Sequence, residues 1–289
     1  MLKLIGLGLW RKQVTLEALE ELRSSDKIYY DYYTNISQDL TLEELSRLTG
    51  KPIVKADRGI LEYPGLKNLV REASKIDVSI AVVGDPLAAT THVIILEEAR
   101  KQGVPYKVVH GVSGLYVSQL ESFLQPYRFG RTATVTFPYG GSYPVTTVRV
   151  VYENLCLGLH SLLLMDLKLD EPRLMTIGEA LSIMNKIEQD NWGHPILGGL
   201  LGISLEAAGT PYARVKTGCL DDLRNEAFDR MPQSLVIPGR LHFAEEENLT
   251  SLLDTSSLCL DKHKETLESG HELICKRAGL MLDTGGYDG

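Results

Sequence analysis

The chain has 289 residues, 44% of them hydrophobic and 24% charged, with Lys+Arg at 30, Asp+Glu at 38 and a net charge of −8. That length fits about one to three domains, and the apolar content suffices for a sizeable core, which excludes disorder over the whole length. The acidic balance disfavours a strongly basic nucleic-acid binder, and no apolar run approaches the ~20 residues that a bilayer span requires.

In chain order, Leu2–Leu9 reads as a buried strand ending in a glycine turn, and Leu16, Leu19 and Leu22 mark one face of a helix. Lys27–Tyr33 is a tyrosine-rich strand, and Thr41–Leu48 a helix with Thr41 as N-cap, Glu44 completing a capping box and Gly50 after its end. A short strand Pro52–Ala56 and a helix Gly65–Lys75 lead to Ser79–Val83, a continuous apolar run expected of a central parallel strand. Helix Thr91–Lys101, strand Tyr106–Val109 and helix Ser113–Leu124 follow. This alternation predicts a parallel sheet with helices on both faces, and in such sheets ligands bind beyond the carboxyl ends of the strands. Three segments fall there: Gly6-Leu7-Gly8-Leu9, Gly84-Asp85-Pro86-Leu87 and His110-Gly111-Val112-Ser113-Gly114.

Past Gln125-Pro126 the pattern changes. Strand Ala133–Phe137, a Gly/Pro/Tyr loop over Pro138–Pro144, helix Val145–Leu155, strand Ser161–Asp166 and helix Thr176–Gln189, with Thr176 and Glu179 as a second capping box, precede strand candidates Gly202–Glu206, Ala213–Thr217 and Ser234–Ile237. Fewer helices intervene, which predicts a mixed sheet. The expected division is residues 1–112, residues 113–254 and a polar extension over 255–289 that ends Gly-Gly-Tyr-Asp-Gly and frays, with a short amphipathic helix around Lys264–Lys276.

Cys156, Cys219, Cys259 and Cys275 form no Cys-x-x-Cys pair, so reduced, buried thiols are expected rather than a zinc site. The start MLKLIGLGLWRKQ lacks the basic region and small-residue site of a secretory leader. Together these predict a soluble protein of a reducing, cytoplasmic compartment.

Gly6-Leu7-Gly8 lacks the third glycine of a dinucleotide loop, since Arg11 stands there, so it reads as a tight turn or a backbone-lined pocket for a small ligand. Asp85, between Gly84 and Pro86, suits either a helix cap or an acceptor for a ligand's polar groups. His92, His110 and His160 sit at or beside element ends without helical metal spacing and read as structural or capping histidines. Asp166 suits a pocket wall or an ion pair. No nucleophile elbow, Walker lysine loop or metalloprotease helix is present in the sequence, and no metal site or general base is identifiable.

The segments LIGLGL (Leu4–Leu9), GDPLAATTH (Gly84–His92), YRFGRTATVTFP (Tyr127–Pro138), GLHSLLLMDLK (Gly158–Lys168), MTIGEAL (Met175–Leu181) and SLVIPGRLHFAEEE (Ser234–Glu247), in this order, resemble the diphthine synthase family. The match runs to about residue 253, and GDP-x-x-ATTH with LH-x-x-E-x-E is specific in combination. The resemblance implies two α/β domains of tetrapyrrole methylase-like fold, the first with a mostly parallel sheet and the second mixed, with S-adenosylmethionine in the cleft between them. It implies a homodimer that methylates the amino group of the aminocarboxypropyl-modified histidine of elongation factor 2, on the path to diphthamide. By position, the family's cofactor contacts fall on Leu9, Asp85, Ala88, Ser113, Gly114, Met165 and Ala208, and a further one, usually histidine, on Gln233. Gln233 still donates and accepts hydrogen bonds but offers no titrating imidazole. Two other readings stay open: a porphyrinoid or RNA methyltransferase of the same fold, and a non-catalytic module that binds elongation factor 2. The many tyrosines of Tyr29–Tyr33 and Tyr139–Tyr152 suit either an interface or cover for the sheets.

Overall fold

A computed structural model describes residues 1–280 apart from 35, 170 and 172. The Gly-Gly-Tyr-Asp-Gly end lies outside the described residues. The chain divides into two compact units, one of residues 1–117 with 167–174 and 209–211, the other of residues 118–166, 175–208 and 212–289.

The first unit runs β1 (Leu2–Gly6), α1 (Leu16–Ser24), β2 (Lys27–Asp31), α2 (Leu42–Thr49), β3 (Ile53–Ala56), α3 (Arg58–Leu61), α4 (Gly65–Ala73), β4 (Val78–Val82), α5 (Val93–Lys101) and β5 (Tyr106–Val109). Its sheet has the order β3-β2-β4-β1-β5 with every pairing parallel. Side chains alternate along each strand, so two cores form. Leu2, Leu4, Tyr29, Val78, Ile80 and Val82 pack with residues of α3, α4 and α5, while Ile5, Leu7, Ile28, Tyr30 and Ala81 pack with residues of α1 and α2. Lys3 is buried in β1 because its ammonium reaches Ser24 Oγ at 2.8 Å and Glu21 at 2.9 Å. Thr41 caps α2 and Gly50 closes it in the left-handed conformation (φ 72°), as the sequence predicts.

Helix α6 (Gly114–Glu121) carries the chain into the second unit, which runs β6 (Ala133–Val135), α7 (Thr146–Cys156) and β7 (Ser161–Met165). The short hairpin β8 (Leu167–Lys168) and β9 (Arg173–Leu174) groups with the first unit. Then come α8 (Ile177–Trp192), β10 (Leu201–Glu206), β11 (Arg214–Cys219), α9 (Leu220–Leu223), β12 (Gln233–Ile237), α10 (Phe243–Leu253) and α11 (Ser257–Ala278). The sheet order is β11-β10-β12-β7-β6, antiparallel except for β6 with β7, so it is mixed as expected. The Thr176–Glu179 capping box forms at the start of α8.

Two expectations need correction. The polar stretch from 257 to 278 is not a loose extension with a short helix but a 22-residue helix that buries Cys259, Leu260, His263, Ile274, Cys275 and Ala278. Its apolar stripe is broken by polar residues that find partners inside, which hides it from a periodicity reading. The four cysteines are not free thiols: Cys156 bonds Cys275 (Cα–Cα 5.0 Å) and Cys219 bonds Cys259 (Cα–Cα 5.7 Å), pairs 119 and 40 residues apart that only the tertiary fold brings together. The tyrosines of the two segments divide: Tyr29, Tyr30 and Tyr152 are core residues, whereas Tyr32 and Tyr139 are exposed.

His263, fully buried on α11, accepts from Leu201 N at its Nδ1 (3.2 Å), and its Nε2 donates to the Gly239 carbonyl (3.1 Å). Burial pushes this imidazole down from 6.5 to about 4, outweighing the bond to Gly239. The unfolded chain therefore binds the proton more tightly, so this contribution is complete above pH ~6.5 and is lost as pH falls toward about 4. We expect His263→Gln, whose amide can mimic both hydrogen bonds, to flatten the fall in unfolding free energy between those pH values by about 3 kcal/mol. Parallel denaturant titrations of both proteins across pH check this, and identical slopes contradict it.

Candidate functional site

Strands β4, β1 and β5 lie side by side in the first unit and end in glycine-bearing turns. Gly8 and Gly84 hold φ of 70° and 84°, the left-handed region that side chains disfavour, and exchange two backbone hydrogen bonds (Gly84 N to Gly8 O 2.8 Å, Gly8 N to Gly84 O 3.2 Å). A Cβ on Gly6 would lie 2.5 Å from Gly111 N, and one on Gly111 would lie 2.3 Å from the Gly84 carbonyl oxygen. The three segments singled out in the sequence thus converge on one backbone-only edge. A methyl here forces a shift in backbone, so Gly111→Ala should cost about 1–3 kcal/mol of stability. Thermal unfolding checks this, and an unchanged midpoint would show that the edge has room.

Asp85, half-buried just after this edge, is not a helix cap. Helix α5 begins only at Val93, with His92 at its N-cap position. The Asp85 Oδ1 instead accepts from Leu87 N (2.9 Å), closing an Asx turn, while Oδ2 accepts from Gly111 N (3.3 Å) and sits 2.8 Å from Nδ1 of the exposed His110. The carboxylate therefore joins the β4 turn to the β5 turn and shapes the edge. Ala88 follows in the same turn, its N donating to the Asp85 carbonyl at 3.3 Å. Ser113 and Gly114 open α6, and a Cβ on Gly114 would come within 3.3 Å of Leu9 Cδ2. Leu9, Asp85, Ala88, Ser113 and Gly114 are thus gathered at one end of the sheet.

Sequence reasoning missed one support. Gln13 Oε1 accepts from Leu9 N (2.8 Å) and its Nε2 donates to the Gly209 carbonyl (2.7 Å), which fixes the Leu9 backbone. A glutamine in a single 3₁₀ turn carries no sequence signal of such a role. His92, the last residue of the GDP-x-x-ATTH motif, is buried, its Nδ1 donating to the Pro86 carbonyl (3.2 Å) and its Nε2 lying 3.3 Å from the buried Asp31 carboxylate. It lies between the end of β2 and the Asp85 turn and bonds the turn, while its Nε2 makes no hydrogen bond among the described residues.

In the second unit, β10 and β7 end where β12 begins, because β12 runs antiparallel to both. Met165, Ala208 and Gln233 consequently lie along one edge of the mixed sheet. Gln233 is buried; its Oε1 accepts from Ile177 N (2.8 Å), capping the first turn of α8, and its Nε2 has no partner among the described residues. Asp166 makes no ion pair among the described residues; its Oδ2 accepts from Phe137 N at 3.0 Å and holds the strand ends together. The LH-x-x-E-x-E motif builds another knot. Glu245, fully buried at the third position of α10, accepts from His242 N (2.8 Å), Gln125 N (2.9 Å) and His160 Nε2 (3.0 Å) and pairs with Arg128. His160 Nδ1 accepts from Gly239 N (3.0 Å), which fixes its tautomer. Burial alone would raise the Glu245 carboxyl, but these donors outweigh it and hold it at about 2.

Comparison with known proteins agrees with this architecture. The family model of tetrapyrrole (corrin/porphyrin) methylases matches residues 1–182. A protein of Staphylothermus marinus named diphthine synthase is 40% identical over 251 residues, 86% of this chain and 92% of that one. A crystal structure of diphthine synthase superposes with a TM-score of 0.81 at 30% identity, covering 91% of this chain and 98% of that one. A conserved hypothetical protein of Aeropyrum pernix K1 superposes with a TM-score of 0.87 at 30% identity, covering 97% of this chain and 98% of that one. With its parallel sheet, its mixed sheet and these relatives, the chain belongs to the diphthine synthase family and is a methyltransferase of the tetrapyrrole methylase-like class.

Proposed function

We propose that this chain methylates the amino group of the aminocarboxypropyl-modified histidine of elongation factor 2 in diphthamide biosynthesis, with S-adenosylmethionine as donor, acting in the cytoplasm as a homodimer. The observation that carries the reading is the backbone-only edge of β1, β4 and β5, where Gly6 and Gly111 leave no room for a Cβ and Gly84 holds a positive φ. Such an edge lets a ligand approach the main chain at the end of a parallel sheet.

The residues present fit that cofactor. Gln233 Nε2 is a buried donor with no partner among the described residues, and leaving it unmet costs about 1–3 kcal/mol, so a ligand acceptor there relieves it. We assign cofactor contacts to Leu9, Asp85, Ala88, Ser113 and Gly114 of the first unit and to Met165, Ala208 and Gln233 of the second. Bound S-adenosylmethionine supplies an activated methyl on a sulfonium. Asp85 and Ser113 orient polar groups, Leu9 and Met165 exclude water, and the Gln13 bridge holds Leu9 in place. Holding the neutral substrate amine in line with the methyl carbon is worth about 7–11 kcal/mol of barrier. The net charge of −8 suits a protein substrate better than RNA.

The test is one incubation of the purified protein with labelled methyl donor and elongation factor 2 bearing the aminocarboxypropyl-histidine. Label on the factor is the expected result. Label only on a tetrapyrrole or RNA, or cofactor binding without transfer, overturns the reading in favour of another substrate or of a non-catalytic module. Sedimentation at micromolar concentration should give a dimer, and a monomer alone removes that part of the proposal.

A further inference from the structure

Beside the glycine edge, on the β2–β3 side of the first unit, lie two neighbouring cavities that none of the assigned contacts uses. The larger, about 440 Å³, is lined among others by Tyr30, Tyr32, Ser37, Leu40 and Leu174. The smaller, about 240 Å³, includes Tyr32, Tyr33, Lys55 and Arg58, and the two share Tyr32 and Leu169 as walls. The larger alone is within the usual size of a small-ligand site, roughly 300–1,000 Å³. Its wall is fixed: Tyr30 OH donates to the Leu40 carbonyl (2.7 Å), and Ser37 Oγ donates to the Leu9 carbonyl (2.9 Å). The second bond places the cavity directly behind Leu9.

Charge singles out one residue here. Arg58 is paired with Glu62 at 3.1 Å. Lys55 has no carboxylate partner among the described residues; its ammonium rests 3.6 Å from the centre of the Tyr32 ring. A cation held on an aromatic face is attracted to the ring without having its charge neutralised, so it stays available to an anion. Tyr32 is itself 43% exposed.

We propose that these cavities receive the modified histidine side chain of the protein substrate, with Tyr32 against its apolar stem and Lys55 paired with its carboxylate. This rests on the function proposed above. The aminocarboxypropyl group carries its carboxylate on the same carbon as the reacting amine, so anchoring the carboxylate fixes the amine as well. An ammonium beside the amine also disfavours its protonated form, which cannot attack a methyl. Glu43 and Asp57 also line the cavities and disfavour a second anionic group, which fits a substrate with a single carboxylate.

The test uses Lys55→Met and Lys55→Arg with wild-type protein as reference. Lys55 is exposed, so both variants should fold. The expected result is a KM for the modified factor raised about tenfold or more in Lys55→Met and largely restored in Lys55→Arg. Affinity for S-adenosylhomocysteine, read by calorimetry, should not change. Wild-type protein should also bind the modified factor more tightly than the unmodified one, a preference that Lys55→Met erases. An unchanged KM in Lys55→Met, with active wild type, overturns this inference and leaves the proposed function standing. Absence of transfer by wild type overturns both.

Discussion

Reducing both disulfides should lower the unfolding midpoint by on the order of 10 °C. Each bond closes a long loop, and such crosslinks are worth about 2–4 kcal/mol apiece, mainly by restricting the unfolded chain. In a protein of this size each kcal/mol corresponds to about 2–4 °C. Both bonds end on α11, at Cys259 near its start and Cys275 near its end, so reduction loosens one element at two points. The helix does not depend on sulfur alone. Arg277 is buried, its Nη1 donating to Tyr152 OH (2.7 Å) and Glu188 (3.1 Å) and its Nη2 to the His194 carbonyl (3.0 Å). The reduced protein should therefore stay folded at moderate temperature with α11 docked. Loop lengths of 119 and 40 residues also rank the bonds: Cys156→Ala should cost about 1 kcal/mol more than Cys219→Ala, since loop entropy grows only with the logarithm of length. Scanning calorimetry with and without reductant checks the main effect. Equal midpoints would mean that the crosslinks add nothing to a helix already held by Arg277 and His263.

The elements of the parallel sheet were readable because each strand is a short run of apolar residues between turn signals, and because Thr41, Gly50, Thr176 and Glu179 mark helix ends by side-chain chemistry that acts locally. The same locality explains the glycine edge: Gly8 and Gly84 need positive φ, and no other residue type adopts it as readily. What escaped was set by contacts distant in sequence. The disulfide pairs depend on where α11 lands, and Gln13 works through Gly209, 196 residues further along the chain. Glu245 was visible as part of a motif, yet its work is to gather Gln125, Arg128 and His160, which only the tertiary structure reveals. Helix α11 was masked because His263 and Arg277, polar by type, are core residues by position.

Asp85→Asn should reduce affinity for S-adenosylhomocysteine about tenfold or more while the fold persists. With the helix-cap role removed, the carboxylate has two functions left, to shape the turn and to face a ligand. An asparagine can keep the bond from Leu87 N on its single oxygen. Its amide nitrogen then faces Gly111 N, which needs an acceptor there, so that bond is lost, and His110 no longer meets a carboxylate. Charge-assisted hydrogen bonds of this kind are worth roughly 1.5–3 kcal/mol, and every 1.4 kcal/mol is a factor of ten in affinity. His110→Ala separates the contributions. That imidazole is 70% exposed, and an exposed pair is worth at most about 1 kcal/mol, so its removal should change affinity by less than about fivefold. Titration calorimetry on the two variants reads the difference. A large loss in Asp85→Asn with a small one in His110→Ala assigns the effect to the carboxylate at the sheet edge. If Asp85→Asn binds as well as wild type, the edge beside Gly111 is not where the cofactor sits.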